Sequence, residues 1–299
     1  MLSVLIPVYN YNVFPLVEDL LKQCLNENVV FEIIALDDAS KNEDTIKANQ
    51  EINNLDNCSY EVLQENLGRS GIRNLLAKRA QYNWLLFLDA DTMPVDNTLI
   101  SKYIPHLNDE EKVIYGGIIY QEKQPEKQEL LRWVYGNSRE ALSVKKRMSD
   151  PYLSMLTLNF AIKKSIFEKV TFNETIPNLR YEDILFSYDL SLNKITMEHI
   201  ANPVYHLGLD TSYICLIKAE DSIKGLKYLL DHQLLDANYM RLSKTYVNLK
   251  KFGLTGLLSL FFRANKSIMQ KNLLGGKPSL FVFDLYRLGY LTLLQKRGK

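Results

Sequence analysis

The sequence is poor in cysteine and histidine. Three cysteines (Cys24, Cys58 and Cys215) and four histidines occur among 299 residues. The cysteines are odd in number, lie far apart and form no Cys-x-x-Cys pair, which argues against a disulfide framework and against a structural zinc site. We therefore expect free thiols that are buried, in a reducing compartment.

Long apolar runs are also missing. The best candidate, residues 253–262, is about half as long as a membrane-spanning helix of about 20 residues. Met1 leads directly into an apolar segment without a basic stretch, so we expect no signal peptide and a cytoplasmic protein. Peripheral attachment at the inner face of the cell membrane stays open. No Gly-x-Gly-x-x-Gly motif follows a predicted strand, which disfavours an NAD-binding protein.

Acidic residues are nearly missing from residues 237–299. This segment has twelve lysines and arginines against one acid, Asp284, a net charge of +11. Since the whole chain carries +1, residues 1–236 carry −10. A break of this kind predicts a distinct C-terminal unit.

Two parts of that basic segment, residues 245–262 and 279–294, mix Leu, Phe and Tyr with scattered Lys and Arg. Basic amphipathic helices of this composition lie in membrane interfaces and are attracted by anionic lipid. Packing on the rest of the protein or in a dimer is the competing interpretation. The segment is more apolar than polar and has no recognised nucleic-acid motif. We therefore predict an anionic membrane surface as partner of residues 237–299 and no nucleic acid, with the oligomeric state open.

Residues 1–91 alternate short apolar strands with helices. This order predicts an α/β fold with a mainly parallel central sheet and flanking helices. The carboxyl ends of parallel strands meet at one edge of the sheet, so we expect Tyr9, Asp38 and Asp91 around one crevice. The predicted strands are 2–8, 29–36, 60–63 and 84–88, and the predicted helices are 14–25, 43–55 and 69–80.

The pattern is less regular after residue 92. We predict four further strands, a charged helical region and two helices before the basic segment. The strands are 113–120, 155–162, 195–200 and 203–206, the helical region is 126–148, and the helices are 181–192 and 213–235.

The most informative stretch is Leu86-Phe87-Leu88-Asp89-Ala90-Asp91, an apolar run that ends in two carboxylates. Unpaired buried carboxylates are costly, so these two need a partner. Carboxylate oxygens suit Mg²⁺ or Mn²⁺, and Mg²⁺ commonly combines one or two carboxylates with phosphate oxygens. The stretch therefore predicts a metal–diphosphate site. Taken alone the triplet is a weak signal, because most Asp-x-Asp triplets after a strand are solvated turns.

Four other short motifs accompany this stretch. Together with it they are Leu5-Ile6-Pro7-Val8-Tyr9-Asn10, Leu36-Asp37-Asp38-Ala39-Ser40, Asn66-Leu67-Gly68 with Arg73-Asn74, Phe87-Leu88-Asp89-Ala90-Asp91 and Tyr181-Glu182-Asp183. In order and spacing they resemble the family 2 glycosyltransferases of bacteria, inverting enzymes with the GT-A (nucleotide-diphosphosugar transferase) fold. Each motif is weak alone, but five in register are a strong signal. The resemblance covers roughly residues 2–207.

The resemblance implies a nucleotide-sugar donor site. In the family, the end of the first strand and the Asp after the second strand hold the nucleobase. Asp38 would accept the imide proton of uracil, so a UDP-sugar is the expected donor. Ala39 stands where the family often has glycine. The implied donor-binding residues are Pro7, Val8, Tyr9, Asn10, Asp38, Asn66, Gly68, Arg73, Asp89 and Ala90.

The resemblance also implies a divalent metal, Mn²⁺ or Mg²⁺. Asp91 would bind it between the donor phosphates, with Asp89 contacting ribose or, through water, the metal. His206 would complete the metal ligands, although a lone histidine is often a satisfied core residue. Arg73 would reach the diphosphate or hold the Asp-x-Asp loop, with a helix-surface cation as the alternative.

Asp183 matches the position of the family's general base, and Glu182 would bind the acceptor or orient the loop. Inversion needs one base to take the proton of the acceptor hydroxyl. Two acids at a helix N-terminus are also favoured by the helix dipole alone. Asn159 and Trp133 are further candidates for the acceptor pocket, although core packing is the expected role of Trp133.

These observations predict a GT-A catalytic domain over residues 1–211 and a helical C-terminal extension over 212–299. The domain would consist of a nucleotide-binding half (1–91) and an acceptor half (92–211). The expected activity is transfer of a sugar to a hydroxyl of a glycan or lipid-linked glycan. A sugar-nucleotide pyrophosphorylase is disfavoured because Tyr9-Asn10-Tyr11-Asn12 is not a glycine-rich phosphate loop. A degenerate, non-catalytic module is disfavoured because all the expected carboxylates are present.

Overall fold

The structure is a computed structural model that describes residues 1–178 and 180–296. The described residues form ten strands and twelve α-helices, together with three short 3₁₀ turns. The strands are β1 Leu2–Val8, β2 Phe31–Asp37, β3 Cys58–Val62, β4 Trp84–Leu88, β5 Thr92–Pro94, β6 Lys112–Tyr115, β7 Ile118–Ile119, β8 Asn159–Lys163, β9 Thr196–His199 and β10 Val204–His206. The helices are α1 Phe14–Asn26, α2 Glu43–Gln50, α3 Gly68–Arg79, α4 Leu99–Tyr103, α5 Leu130–Arg139, α6 Val144–Arg147, α7 Lys164–Lys169, α8 Glu182–Leu192, α9 Ser212–Asp231, α10 Arg241–Lys251, α11 Thr255–Leu273 and α12 Leu280–Lys296.

Seven strands form the central sheet in the order β3-β2-β1-β4-β8-β6-β9. The first four are parallel neighbours, and β8 runs antiparallel to both β4 and β6. A second sheet of three strands has the order β5-β10-β7. The predicted α/β fold with a mainly parallel sheet, flanking helices and C-terminal helices is confirmed.

The central parallel strands β1 and β4 are buried over nearly their whole length, as expected for strands with helices on both faces. Their ends set the edge of the sheet at which polar residues collect. Val8 and Asp37 are register partners at the ends of β1 and β2, and the Asp38 N–H donates to the Val8 carbonyl at 2.9 Å. Asp89 follows β4 directly, next to β1 in the sheet.

The order of the seven elements predicted before residue 91 is confirmed, and β1 and β4 begin and end at the predicted residues. The single strand predicted over 113–120 is wrong. Gly117 has φ +100°, in the left-handed region that favours glycine, and it separates β6 from β7. The strand predicted from residue 155 begins at Asn159 because residues 151–158 contain turns. The helical region 126–148 is divided between α5 and α6.

A buried arginine stabilises the break between β6 and β7. The Arg147 guanidinium donates to the carbonyls of Tyr115 and Gly116 at 3.2 Å and of Ile200 at 2.8 Å. A Cβ added at Gly117 would lie 2.8 Å from Arg147 Nη1. The carbonyls of Tyr115 and Gly116 also accept from the N–H groups of Ile200 and Asn202 at 3.0 and 3.2 Å, so Arg147 supplies each of them with a second donor.

The chain divides into two compact units. The N-terminal unit comprises Met1–Tyr120, Glu140–Asn178 and Glu182–Gly208. The C-terminal unit comprises Gln121–Arg139, a short segment that ends at Tyr181, and the chain from Leu209 onward. The functional boundary predicted between residues 211 and 212 stays a prediction.

The C-terminal unit has an apolar core of its own. The core joins α5 to α9, α11 and α12. None of the helices within residues 1–178 and 180–296 is long and apolar enough to cross a membrane. The core is described by the residues that it buries. Its buried members are Leu131, Cys215, Leu216, Phe262, Met269, Leu273, Phe283 and Tyr286. The three cysteines are free as expected, although Cys58 is only half-buried.

The close packing of α11 on α12 predicts opposite effects for two glycines. A Cβ added at Gly289 would lie 2.6 Å from the Phe262 ring, whereas one added at Gly256 meets nothing within 4 Å. We expect Gly289→Ala to lower the free energy of unfolding by about 1–3 kcal/mol. Gly256→Ala should be neutral or stabilising by up to about 1 kcal/mol, because alanine is the better helix former. Urea unfolding followed by circular dichroism measures both, and equal effects would contradict this account.

Candidate active site

The centre of the site is a buried arginine on α3. Arg73 is 5% exposed, and its Nη2 donates to Asp89 Oδ1 at 2.8 Å. Its Nη1 lies 3.9 Å from Glu182 Oε1. Burial lowers the pKa of Arg73, but the carboxylates of Asp89, Glu182 and Asp183 outweigh burial and raise it. The guanidinium therefore stays charged and joins α3 to the end of β4 and the start of α8.

The Asp89-Ala90-Asp91 loop has a fixed backbone. The Asp89 N–H donates to the Leu158 carbonyl at 3.1 Å. The Asp89 carbonyl accepts from the Thr92 N–H at 3.1 Å and from the Thr92 hydroxyl at 2.7 Å. With Asp89 engaged by Arg73, the loop presents the half-exposed Asp91 carboxylate on its other side.

His206 lies beside Asp91, although the two are 115 positions apart in the sequence. Its Nε2 is 3.6 Å from Asp91 Oδ2, and the neighbouring Leu207 N–H donates to the Asp91 carbonyl at 2.8 Å. A Cβ added at Gly208 would overlap Asp91 Oδ2. The short strand β10 and the glycine after it therefore bring an imidazole to the Asp-x-Asp loop.

The predicted metal ligands suit a divalent cation. His206 Nδ1 is buried and has no hydrogen-bond partner among the described residues, so the ring is not a satisfied core histidine. Asp91 and His206 supply neighbouring oxygen and nitrogen donors, whereas the Asp89 carboxylate is bonded to Arg73. Among residues 1–178 and 180–296, no three His, Cys, Asp or Glu side chains form a group that could hold a metal ion. Protein sites for Mg²⁺ often use one or two carboxylates together with substrate phosphates.

Asp38 holds the turn before α3. Its Oδ1 accepts from the Leu67 N–H at 2.6 Å and its Oδ2 from the Gly68 N–H at 3.0 Å. The Asn66 side-chain amide donates to the Asp38 carbonyl at 2.8 Å. Burial raises the pKa of Asp38. Each carboxylate oxygen has a second lone pair, so Asp38 can accept a further hydrogen bond from a ligand.

Ala39, the residue after Asp38, stands where the family often has glycine, and its backbone conformation shows why glycine is favoured there. Ala39 has φ +60°, in the left-handed region where glycine is favoured. The Ser40 N–H donates to Asp37 Oδ1 at 2.8 Å, and Asp37 Oδ2 accepts from the Tyr60 hydroxyl at 2.6 Å. These bonds hold the turn and offset the strain of an alanine in this conformation.

The end of β1 presents one aromatic ring. Val8 is buried, but Tyr9 is 54% exposed, which suits a ring that stacks on a planar ligand. Asn10 has φ +50°, and its side-chain oxygen accepts from the Lys41 and Asn42 N–H groups at 3.0 and 3.3 Å. Asn10 therefore holds the loop after β2, and the roles predicted for Pro7, Val8, Tyr9 and Asn10 stay predictions.

The acid pair opens α8 after two residues with positive φ, Arg180 (112°) and Tyr181 (74°). Such backbone is strained in residues other than glycine and often occurs at functional sites. Burial, followed by the neighbouring Glu182 carboxylate, raises the pKa of Asp183 to about 6. Asp183 Oδ1 also accepts from the Ile184 N–H at 2.8 Å. A carboxylate with this pKa is a suitable proton acceptor near neutral pH.

Sequence reasoning missed three neighbours of these groups. Arg69, one turn before Arg73, has its Nε 3.8 Å from Glu182 Oε1, and their spacing of four on one helix could have indicated a shared face. The Tyr120 ring is 5.6 Å from the His206 ring, centroid to centroid. Gly208 shapes the space for Asp91. No pattern around Tyr120 or Gly208 pointed to these contacts.

Asn159 is not available to an acceptor, and this interpretation is wrong. It is fully buried, its amide donates to the Gly117 and Asn202 carbonyls at 2.8 and 2.9 Å, and its oxygen accepts from the Tyr103 hydroxyl at 2.8 Å. Trp133 belongs to the C-terminal unit, where its indole N–H donates to the Gln121 carbonyl at 2.9 Å.

The sequence matches the family Glycosyl transferase family 2 over residues 3–171, more than half of the chain. The chain belongs to this family. It is a glycosyltransferase, and its predicted GT-A fold is confirmed by solved structures. No curated protein matches the sequence.

Two solved glycosyltransferases share the fold at low sequence identity. TarS residues 1–349 from S. aureus has a TM-score of 0.52 and 16% identity, with 99% of this chain and 91% of TarS 1–349 covered. The mannosyltransferase PcManGT from Pyrobaculum calidifontis, solved with GDP-Man and Mn²⁺, has a TM-score of 0.56 and 11% identity, with 99% and 87% covered. A complex of TarS 1–349 with UDP-GlcNAc has a TM-score of 0.50 and 15% identity, with 99% and 91% covered.

The raised pKa of Asp183 predicts a cost in stability. The folded-state pKa of about 6 lies above the ordinary value of 3.8. The contribution of the Asp183 carboxyl to the free energy of unfolding is therefore most favourable below about pH 4, and it is lost as the pH rises through 6. We expect Asp183→Asn to raise the free energy of unfolding by up to about 3 kcal/mol at pH 7.5, because each unit of the pKa difference corresponds to about 1.4 kcal/mol. The gain should vanish at pH 4. Urea unfolding at the two pH values measures the difference, and a gain independent of pH would contradict it.

Proposed function

We propose that the protein is a metal-assisted inverting glycosyltransferase that moves a sugar from a UDP-sugar to a hydroxyl of a glycan or lipid-linked glycan. The observation that carries the proposal is the Arg73 network, which ties the Asp-x-Asp loop to the acid pair. Arg73 contacts Asp89 directly and lies near Glu182. The buried Arg73 guanidinium thereby fixes the distance between the carboxylate expected on the donor side, Asp89, and the one expected on the acceptor side, Glu182.

The donor nucleotide is assigned as UDP from the strand ends. Asp38 has spare acceptor capacity for an imide N–H, and the exposed Tyr9 ring offers a stacking surface for the base. A TarS structure of similar fold contains UDP-GlcNAc. PcManGT contains GDP-Man, so a guanine nucleotide is the outcome that a binding experiment has to distinguish.

Asp91 and His206 would hold the divalent cation together with the donor phosphates, and Asp89, which is bonded to Arg73, would contact ribose or reach the metal through water. The position of His206 Nε2, 3.6 Å from Asp91 Oδ2, supports this assignment, as does the Mn²⁺ in PcManGT. When bound, the cation supplies positive charge against the negative charge that develops on the departing nucleoside diphosphate. Arg73 adds fixed positive charge from the protein on the other side of Asp89.

Asp183 is the general base. Its carboxylate takes the proton of the acceptor hydroxyl while the acceptor oxygen bonds to the anomeric carbon, and the bond from that carbon to the diphosphate oxygen breaks on the opposite face. The electron pair of the broken bond leaves with the diphosphate. Glu182, held near Arg69 and Arg73, orients the acceptor or the loop.

The donor assignment predicts metal-dependent binding of UDP. Isothermal titration of UDP with Mn²⁺ should give binding that weakens about tenfold or more in Asp91→Asn, a loss of about 1.4 kcal/mol or more. Asp109→Asn is the matched control, because Asp109 is an exposed aspartate outside the site. UDP affinity that is the same with Mn²⁺ and with EDTA, or unchanged in Asp91→Asn, would refute the metal site, and preference for GDP would refute the assignment of uracil.

The base assignment predicts the direction of the pH dependence. Because Asp183 acts when it is deprotonated, kcat/KM for UDP release from a UDP-sugar should rise with pH about a midpoint near 6. Asp183→Asn should lower kcat by about 10²–10⁴-fold and leave UDP affinity unchanged. Activity in Asp183→Asn with the wild-type pH profile would exclude Asp183 as the base.

A further inference from the structure

Helix α11 of the C-terminal unit has an apolar stripe that faces away from the core. Leu257, Leu260, Phe261, Ala264 and Ile268 are all exposed, and their spacing of three, four, seven and eleven from Leu257 places them on one side of the helix. Leu257, Leu260 and Ile268 are each at least 65% exposed. The stripe is therefore a continuous apolar surface rather than scattered exposure.

The opposite side of α11 already serves the core. Ser259, Phe262, Met269 and Leu273 are its buried residues, and three of them belong to the core of the C-terminal unit. One apolar side is enough to fold a surface helix against its unit. The outer stripe therefore needs an explanation other than the packing of this unit.

The turn between α10 and α11 adds two exposed apolar side chains before the start of α11. Phe252 is 72% exposed and Leu254 41% exposed, and they flank Gly253, which has φ +71°. No atom lies within 4 Å of a Cβ added at Gly253. We call the surface formed by Phe252, Leu254, Leu257, Leu260, Phe261 and Ile268 the α11 face.

Unpaired positive charge borders the α11 face. Lys250, Lys251, Arg263 and Lys271 are exposed, and none of them forms an ion pair with a described residue. By contrast, Lys266 pairs with Glu220 at 3.0 Å. The one acid after residue 236, Asp284, is already bonded to Arg139 and Arg287 at 2.9 and 2.7 Å.

The charge distinguishes between possible occupants. In a two-fold dimer through the α11 face, the same patch of both copies would meet. Such a contact would bring unpaired cations of two copies together without acids to compensate, which is unfavourable. An anionic lipid surface accepts both features, since acyl chains receive the apolar side chains and headgroup phosphates attract the lysines and arginines.

We propose that the α11 face lies in the interface of an anionic membrane, with Phe252 and the leucines inserted below the headgroups. This inference goes beyond the proposed glycosyl transfer and does not depend on the donor, the metal or the acceptor. It identifies the part of the basic segment 237–299 that makes the contact. Within residues 1–178 and 180–296 no helix is suited to span a bilayer, so the attachment lies along the surface.

The test uses the full chain and sedimentation with vesicles. We expect binding to vesicles of phosphatidylglycerol with phosphatidylcholine, little binding to phosphatidylcholine alone, and weaker binding at high salt. The variant Leu257→Gln/Leu260→Gln/Ile268→Gln should bind about tenfold or more weakly. Lys250→Gln/Lys251→Gln should bind more weakly and lose part of the salt dependence.

The control variant is Val30→Gln/Leu192→Gln, which removes exposed apolar side chains of the N-terminal unit and should bind as the wild type does. Circular dichroism establishes that every variant is folded. Absence of wild-type binding, or wild-type binding by the triple variant, would overturn the proposal. If the wild type forms a dimer but does not bind vesicles, and the triple variant is monomeric, the α11 face serves self-association instead. Vesicle binding requires no nucleotide, so its failure is distinguishable from failure of the proposed transfer.

Discussion

The buried charge of Arg73 is the interaction on which the geometry of the site depends. A guanidinium that is 5% exposed is tolerated only with carboxylate partners, because an uncompensated buried charge costs several kcal/mol. Those partners are Asp89, at the end of β4, and Glu182, at the start of α8, more than ninety positions later. Folding of the sheet edge and assembly of the acid pair are therefore coupled. The same constraint places Asp183 in a poorly solvated position, which is what raises its pKa.

The carboxylates of the strand ends divide into two kinds. Asp37 has both oxygens bonded to the Tyr60 hydroxyl and the Ser40 N–H, and Asp38 accepts two backbone N–H groups from the turn before α3. These bonds fix the loops around the expected nucleotide pocket before a ligand arrives. Within the part of the chain that the structure describes, the Asp91 carboxylate has no comparable set of donors, and its neighbours are the imidazole of His206 and the space left by Gly208. Preorganised loops beside one less satisfied carboxylate suit a site that gains its last partner with the substrate.

The sequence was most informative where the structure is local. Strands β1 and β4 are continuous apolar segments, and each is followed at once by its polar residues, so their places and the Asp-x-Asp loop could be predicted. The break at Gly117 could not, because it depends on Arg147, thirty residues away and buried against three carbonyls. The burial of Asn159 was missed for the same reason, since its amide partners come from distant loops. Periodicity describes one element at a time and says nothing about such partners.

The composition of the C-terminal unit has a consequence for synthesis of the protein. Its core joins Leu131, on α5, to Phe262 and Tyr286, on helices made more than a hundred residues later. At a ribosomal rate of about 5–20 residues per second, α5 emerges roughly 7–30 seconds before Phe262 and Tyr286. During that interval the N-terminal part of the sheet can form, but α5 exposes the apolar side that it later buries. The growing chain therefore exposes the apolar residues of α5 during synthesis, and transiently exposed apolar surface of this kind favours aggregation and chaperone binding.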